Sequence, residues 1–396
     1  VASILPLLAL AAACDGDPGG VEPEDRPVAL AAGTAHSCAL TQSRAAYCWG
    51  SNDRGQLGNG TGASSADPVR VDAPERLTDI SASWRQTCAV GASGAVYCWG
   101  SIVHVQGGGE FTASSTPSRV EAALRFTRVS VGLSHACALT ASGKAHCWGY
   151  DNNLALGDGA GGPFFTATPV AVVTDARFAS VRATGLNSCG LADTGSAYCW
   201  GDASFRVFGG GTRSSETLPV AAGGGMRFTS FDASATWACG VSGGDVHCWG
   251  LNRAGELGRT PISPVPDPQP RAVAGLPDVE TVFTARQNSI TGHVCALTAA
   301  GEAFCWGQNQ AGEAGIDPGA APTQVCASGF ETTCVPRPVP AAAALRFRTL
   351  ALGQTHTCGI TREHEIHCWG RAAEGQLGPA AGAGGATPVR MELPES

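Results

Sequence analysis

Seven times along 396 residues, the sequence sets two cysteines nine or ten positions apart and follows the second with Trp-Gly, as in "CALTASGKAHCWG" at 137–149. The pairs are Cys38/Cys48, Cys88/Cys98, Cys137/Cys147, Cys189/Cys199, Cys239/Cys248, Cys295/Cys305 and Cys358/Cys368. If Cys137 faces Cys147 across an antiparallel hairpin, Thr140 faces Lys144, and Ala141, Ser142 and Gly143 form a three-residue loop. Such a loop favours a left-handed third residue, which glycine supplies without steric cost. Gly94, Gly195 and Gly301 stand at the same place, and the fifth repeat, one residue shorter, has the two-residue turn Gly243-Gly244. Arg44 and His364 stand there in the first and last repeats, so those turns are expected to differ or to carry strain. Directly opposed residues of a non-hydrogen-bonded pair lie about 4.5 Å apart at Cα, within reach of a disulfide. Strand alternation sends Cys48 and Trp49 to opposite faces, leaving the tryptophan free to pack between sheets.

The Trp-Gly pairs begin at Trp49, Trp99, Trp148, Trp200, Trp249, Trp306 and Trp369, a period of 49 to 63 residues. That period belongs to propellers or solenoids. Pro68, Pro117, Pro169, Pro219 and Pro338 each lie 20 residues before a first cysteine and open short strands such as "DPVRV" and "TPVAV". A further apolar-alternating piece follows, as in "LRFTRVSVG" at 124–132, so each repeat supplies about four strands, one propeller blade. The first hairpin lacks its Pro-Val strand, whereas "TPVRMEL" at 387–393 has no hairpin after it. A linear solenoid would need capping ends. The expectation is an all-β, seven-bladed β-propeller closed by pairing of N- and C-terminal strands, spanning 28–393.

Cys326 and Cys334 form an eighth pair inside an enlarged loop, 315–338. Cysteines in such number and pairing point to disulfides and an oxidising compartment, and the CxxC or CxxH spacings of zinc sites are absent. The remaining Cys14 ends an apolar stretch, "VASILPLLALAAAC", which reads as a leader over 1–14. Ala11-Ala12-Ala13-Cys14 resembles a bacterial lipoprotein processing site, with Cys14 as the lipid attachment point; a plain secretory signal cut nearby is the alternative. Residues 15–27, acidic and glycine-rich, read as a flexible linker. Membrane contact is then expected only through the lipid anchor. With 15% charged residues and a net charge of −8, the sequence has no basic patch for nucleic acid.

His36, His135, His293 and His356 stand two residues before a first cysteine, where the other repeats have Gln86, Asn187 and Trp237. An uneven set on four of seven repeats reads as hydrogen-bonding structure rather than a metal ring. His146, His247 and His367 interchange with Tyr47, Tyr97, Tyr198 and Phe304, which reads as packing. The acidic stretch 150–162 has Ala155 and Leu156 where a calcium loop needs oxygen ligands. No Ser-His-Asp signature, nucleophile elbow, P-loop or HExxH occurs. No catalytic residue, cofactor or metal is assigned. The loop 315–338, with its own disulfide, is the candidate partner-contact loop.

The stretches "GTAHSCALTQSRAAYCWGSNDRGQLGNG" (33–60), "HCWGLNRAGELG" (247–258) and "HTCGITREHEIHCWGRAAEGQLG" (356–378) resemble the regulator-of-chromosome-condensation repeat family, over residues 28 to 393. The segments 101–110 and 202–211 lack its Gly-Gln-Leu-Gly turn. The resemblance implies a seven-bladed propeller, and the paired cysteines resemble those of exported bacterial members. It also brings the guanine-nucleotide exchange activity of the family's best-known eukaryotic member, which export and the missing basic tail argue against. The function expected is a non-catalytic scaffold that binds a protein or glycan at the bacterial cell envelope, as a monomer. The alternatives are an enzyme with a central-channel site and, on fold analogy alone, an exchange-factor-like regulator.

Overall fold

The computed structural model describes residues 25–103, 111–151, 153–160, 165–209, 215–285, 291–327 and 331–394. Cys14, the leader 1–14 and most of the linker 15–27 lie outside the described residues. Seven antiparallel sheets follow one another along the chain. The first consists of β1 (Pro27–Ala32), β2 (His36–Thr41), β3 (Ala46–Gly50) and β4 (Ser65–Arg70), paired in that order. Six more sheets repeat the pattern, with inner strands at Leu77–Ser83, Phe126–Val131, Phe178–Ala183, Ser230–Ala233, Val279–Thr284 and Phe347–Leu352. The protein is a seven-bladed β-propeller. Among the described residues the single helical segment is a 3-10 turn at Pro379–Ala381.

The hairpin register follows from the cysteines. Cys38 opposes Cys48 and Cys137 opposes Cys147, with Cα atoms 4.0 Å apart in both bridges. The same opposition bridges Cys88 to Cys98 at 4.1 Å and Cys189 to Cys199 at 4.0 Å. Cys239 meets Cys248 at 4.2 Å, and Cys295–Cys305 and Cys358–Cys368 both span 4.1 Å. Thr140 N donates to Lys144 O at 3.0 Å, closing the three-residue loop. Gly143 has φ 76° and Gly301 83°, and Arg44 at 69° and His364 at 67° take the same left-handed conformation. The turns at Arg44 and His364 therefore do not differ in shape; two L-residues accept a conformation that glycine occupies more cheaply. In the shortened fifth hairpin both Gly243 and Gly244 have positive φ, as a two-residue primed turn requires.

The Pro-Val strands correct one expectation. Each is the fourth strand of the preceding hairpin's blade: Val69 opposes Cys48, Val170 opposes Cys147 and Val389 opposes Cys368. The strand Gly384–Met391 thus completes the seventh blade, and β1 pairs with β2 in the first. The ring is not closed by pairing of N- and C-terminal strands. Proline lacks an N–H, and an outer-edge strand is where that loss costs least. Closure comes from packing of β1 on the inner strand Phe347–Leu352 and the adjacent hairpin strand His356–Thr361, reinforced by side-chain hydrogen bonds described below.

The apolar core lies between blades. Trp49, Trp99, Trp200, Trp249, Trp306 and Trp369 are fully buried. Trp249, for example, stacks on Phe228 and Phe231 at 5.8 and 6.0 Å. At the hairpin-turn face, arginines just before inner strands clamp the previous blade's turn. Arg125 donates to Ser93 O at 2.9 Å, Arg177 to Ser142 O at 2.8 Å, and Arg227 to Thr194 O. The sixth blade, which follows the shortened Gly243-Gly244 turn, has Asp278 there instead.

Candidate functional site

Each four-residue turn of the Gly-Gln-Leu-Gly type ends on the face opposite the hairpin turns and offers a backbone carbonyl to the next blade. Trp99 Nε1 donates to Gln56 O at 2.9 Å, Trp200 to Ala155 O at 2.8 Å, Trp306 to Glu256 O at 2.9 Å, and Trp369 to Glu313 O at 3.1 Å. Trp49 donates to Gln376 O at 2.9 Å, joining the first blade to the seventh. Ala155 and Val207, the acceptors in blades three and four, show that the carbonyl rather than the side chain makes the joint.

At four interfaces a hydroxyl shares that carbonyl. Thr87, Ser188, Thr357 and Ser37 donate to Gln56, Ala155, Glu313 and Gln376 O. A hydroxyl that donates its one proton can only accept from its other neighbour. That neighbour is a histidine of the preceding blade: His36 Nε2 to Thr87 at 2.9 Å, His135 to Ser188 at 2.8 Å, His293 to Thr357 at 2.7 Å, and His356 to Ser37 at 2.9 Å. The relay therefore requires neutral imidazoles protonated on Nε2. A Cβ on Gly33 or Gly353 would overlap the His36 or His356 ring, so glycine is required beneath both. Burial pushes His36 and His135 down to about 4, and His293 and His356 to about 3. Among the described residues no group of three or more His, Cys, Asp or Glu is placed to hold a metal ion.

The four histidines are spread around the ring as joints, each reaching a different blade. Where histidine is absent the hydroxyl is absent too: Gln86, Asn187 and Trp237 precede blades carrying Ala136, Ala238 and Val294 at the hydroxyl position. This pairing is legible in the sequence once each repeat is compared with its successor. Of the second histidine set, His146 packs edge-on against Phe126 at 5.8 Å, and Tyr198 packs likewise on Phe178 at 6.1 Å. In the stretch 150–162, Asp151 Oδ1 accepts from Leu156 N at 3.1 Å, the brace that Asn52 makes to Leu57 N at 2.9 Å.

Glu256 and Glu313 stand where blades one and seven have Gln56 and Gln376, and all four side-chain oxygens accept the amide two residues earlier. Burial raises Glu256 to about 8 and raises Glu313 as well. A carboxyl that is neutral when folded but ionised when unfolded loses stability as pH rises from its unfolded value, near 4.5, through its folded one. Glu256→Gln should therefore raise stability by less than about 1 kcal/mol at pH 5 and by on the order of 5 kcal/mol at pH 9. Urea titrations at both pH values test this, and an equal effect at the two would contradict a buried neutral acid.

Two other places stand out. A cavity of about 410 Å³ lies on the axis, and all seven inner strands contribute to its wall. Arg182 Nε pairs with Asp232 at 2.7 Å and Arg128 with Asp79 at 3.6 Å, while Phe283, Ala29 and Ala31 line the remainder. The histidines and glutamates that burial moves furthest lie outside this lining. So do the bridge cysteines. Cys98, Cys199, Cys248 and Cys305, like their partners Cys88, Cys189, Cys239 and Cys295, are buried within the blade hairpins and contribute nothing to the cavity wall. They hold the blades and leave any binding to other side chains. The insertion 315–338 extends the sixth sheet by a fifth strand, Gln324–Ala327, paired with Glu331–Ala341. Cys326–Cys334, with Cα atoms 5.9 Å apart, packs on Ala254 and Ile262 of the fifth blade.

Models of the regulator of chromosome condensation (RCC1) repeat match residues 28–56, 45–90, 126–154 and 347–376. The ultraviolet-B receptor UVR8 of Arabidopsis thaliana is 30% identical over 37% of this chain and 30% of its own length. The mitochondrial RCC1 domain-containing protein RUG3 of the same plant is 27% identical over 52% of this chain and 45% of its own. The chain thus spans less than half the length of these relatives. Prp20p of Saccharomyces cerevisiae superposes with a TM-score of 0.74 at 17% identity, over 93% of this chain and 87% of that one. Human WBSCR16 gives 0.70 at 20%, over 86% and 88%. At these identities the structures speak for the fold alone. The fold is thus that of a seven-bladed propeller, and within 28–90, 126–154 and 347–376 the chain is similar to the regulator of chromosome condensation repeat.

Proposed function

We propose that the protein is a non-catalytic binding scaffold, exported to a bacterial cell envelope and lipid-anchored at Cys14, that engages a protein partner through the outer rim of blades five and six. The observation that carries the reading is exposed apolar surface on a fixed support. Val265 is 71% exposed and Val325 66%, the highest values among the large apolar side chains described. Val325 sits on the disulfide-tied fifth strand, and Asn309 N donates to Thr333 O at 2.8 Å to hold that extension against its blade. Isolated exposed valines are ordinary, but two on neighbouring blades joined by the Ile262–Cys326–Cys334 cluster offer a preformed apolar contact. The disulfides agree with an oxidising, exported environment.

Capture from envelope extract, comparing the native protein with a Val265→Asp/Val325→Asp variant and a deletion of 318–336, tests this reading. Loss of the same captured protein in both is expected, and its retention would contradict the rim as the contact. Cys14→Ser should move the protein from the membrane to the soluble fraction, and continued membrane retention would argue against the anchor.

A further inference from the structure

The axial channel carries charges that the fold does not require. In the ring, side chains of several inner strands accept amides of the next inner strand. Ser81 accepts Val131 N at 3.1 Å, Ser130 accepts Ala183 N at 3.0 Å, and Ser230 accepts Val282 N at 3.2 Å. Asp79 and Asp232 do the same for Val129 N at 2.8 Å and Thr284 N at 3.0 Å. Serine suffices for that joint elsewhere, so the carboxylates exceed it. Asp232 is 2% exposed, and the desolvation cost of burying its charge is offset by the Thr284 and Ala233 amides and by the Arg182 guanidinium, the cation paired with it.

The arginines have donors left over. The Arg182 guanidinium faces Asp232 through Nε at 2.7 Å without the alignment of a hydrogen bond, and no other ion pair or hydrogen bond engages its side chain among the described residues. A guanidinium carries five N–H donors in a planar fork suited to carboxylates. Arg128 reaches Asp79 only at 3.6 Å and its side chain is 64% exposed, so it too can turn to a ligand. Opposite these cations Phe283 from blade six, Ala351 from blade seven, and Ala29 and Ala31 from blade one give the wall apolar surface, alongside Thr284 and Thr349. The cavity also has an entrance. A second hollow of about 740 Å³ on the hairpin-turn side shares Ser180, Arg182 and Phe283 with it.

We propose that the axial channel binds a small organic carboxylate, held by Arg128 and Arg182, with its apolar or aromatic body against Phe283 and the alanines of blades seven and one. The site goes beyond the scaffold reading and is independent of the outer rim.

Phenylacetate is a suitable probe, with benzylamine as its charge-reversed counterpart, and saturation-transfer NMR on the full chain is a suitable readout. Phenylacetate should give transfer that Arg128→Gln weakens about tenfold and Phe283→Ala weakens as well. Arg128 is exposed, so its replacement leaves the core intact even if variants at Arg182 fail to fold. Val265→Asp/Val325→Asp should bind phenylacetate as the native protein does, which separates failure of this site from failure of the rim. Absence of phenylacetate transfer, equal or stronger transfer to benzylamine, or undiminished binding by Arg128→Gln would each overturn the proposal.

Discussion

Replacing Cys137 and Cys147 together by alanine should lower stability by about 2–3 kcal/mol, and reducing all the hairpin bridges should unfold the ring. Each bridge closes a loop of nine or ten residues, and the chain-entropy cost lifted from folding is about that size per loop. The seven hairpin Cα separations, 4.0 to 4.2 Å, are those of non-hydrogen-bonded pairs, so the bridges sit at the place where a hairpin brings two strands closest. Seven such terms sum to roughly the whole stability of an ordinary domain, or more. The sulfurs are buried, at 0 to 4% residue exposure, so a reductant should act slowly until blades open. Urea unfolding with and without reductant measures the effect. A reduced protein with an unchanged midpoint would mean that the bridges are ornamental.

The second large effect is expected at the seam between the last blade and the first. No backbone ladder crosses it among the described residues, so Trp49 and Ser37 donating to Gln376 O, with His356 donating to the Ser37 hydroxyl, carry the polar part of closure. Ser37→Ala leaves a buried Nε2–H without an acceptor and should cost about 1–3 kcal/mol. His356→Ala empties a fully buried imidazole site and should cost about as much or more. The double variant should cost less than the sum by at least about 1 kcal/mol, because the second change removes a partner already lost. Additive costs would contradict the relay.

The same histidines set an acid limit. Their folded pKa values lie below the ordinary imidazole value of 6.5, so the unfolded chain takes up protons first as pH falls. Their contribution is complete above pH 6.5 and is lost as pH falls toward 4 and then 3. Glu256 and Glu313 act in the opposite direction as pH rises from 4.5. Four imidazoles outweigh two carboxyls below neutrality, so stability should peak near pH 6.5.

How much was legible in the residues differs by level. The cysteine spacing led to seven hairpins because it encodes contacts within about ten residues, and the Trp-Gly period of 49 to 63 residues led to a propeller because it marks a repeated four-strand unit. The frame of the blade was not legible from spacing: Pro68 lies 20 residues after Cys48 and 20 before Cys88, so distance along the chain favours neither neighbour. The pairing of Val69 with Cys48 decides it. The histidines were read correctly as hydrogen-bonding groups, but their partners were missed because each lies 51 or more residues away in the next blade, or across the seam. Arg182 and Asp232 were missed for the same reason, since only ring closure brings inner strands together on one axis.

Peptide mapping of the native protein, alkylated under denaturing conditions before any reduction, tests the central claim most directly. The account predicts no alkylation at the sixteen cysteines from Cys38 to Cys368 and cross-linked peptides joining each cysteine to its own hairpin partner, Cys88 to Cys98 and Cys295 to Cys305 among them. Free thiols at these positions, or bridges running between blades, would contradict it.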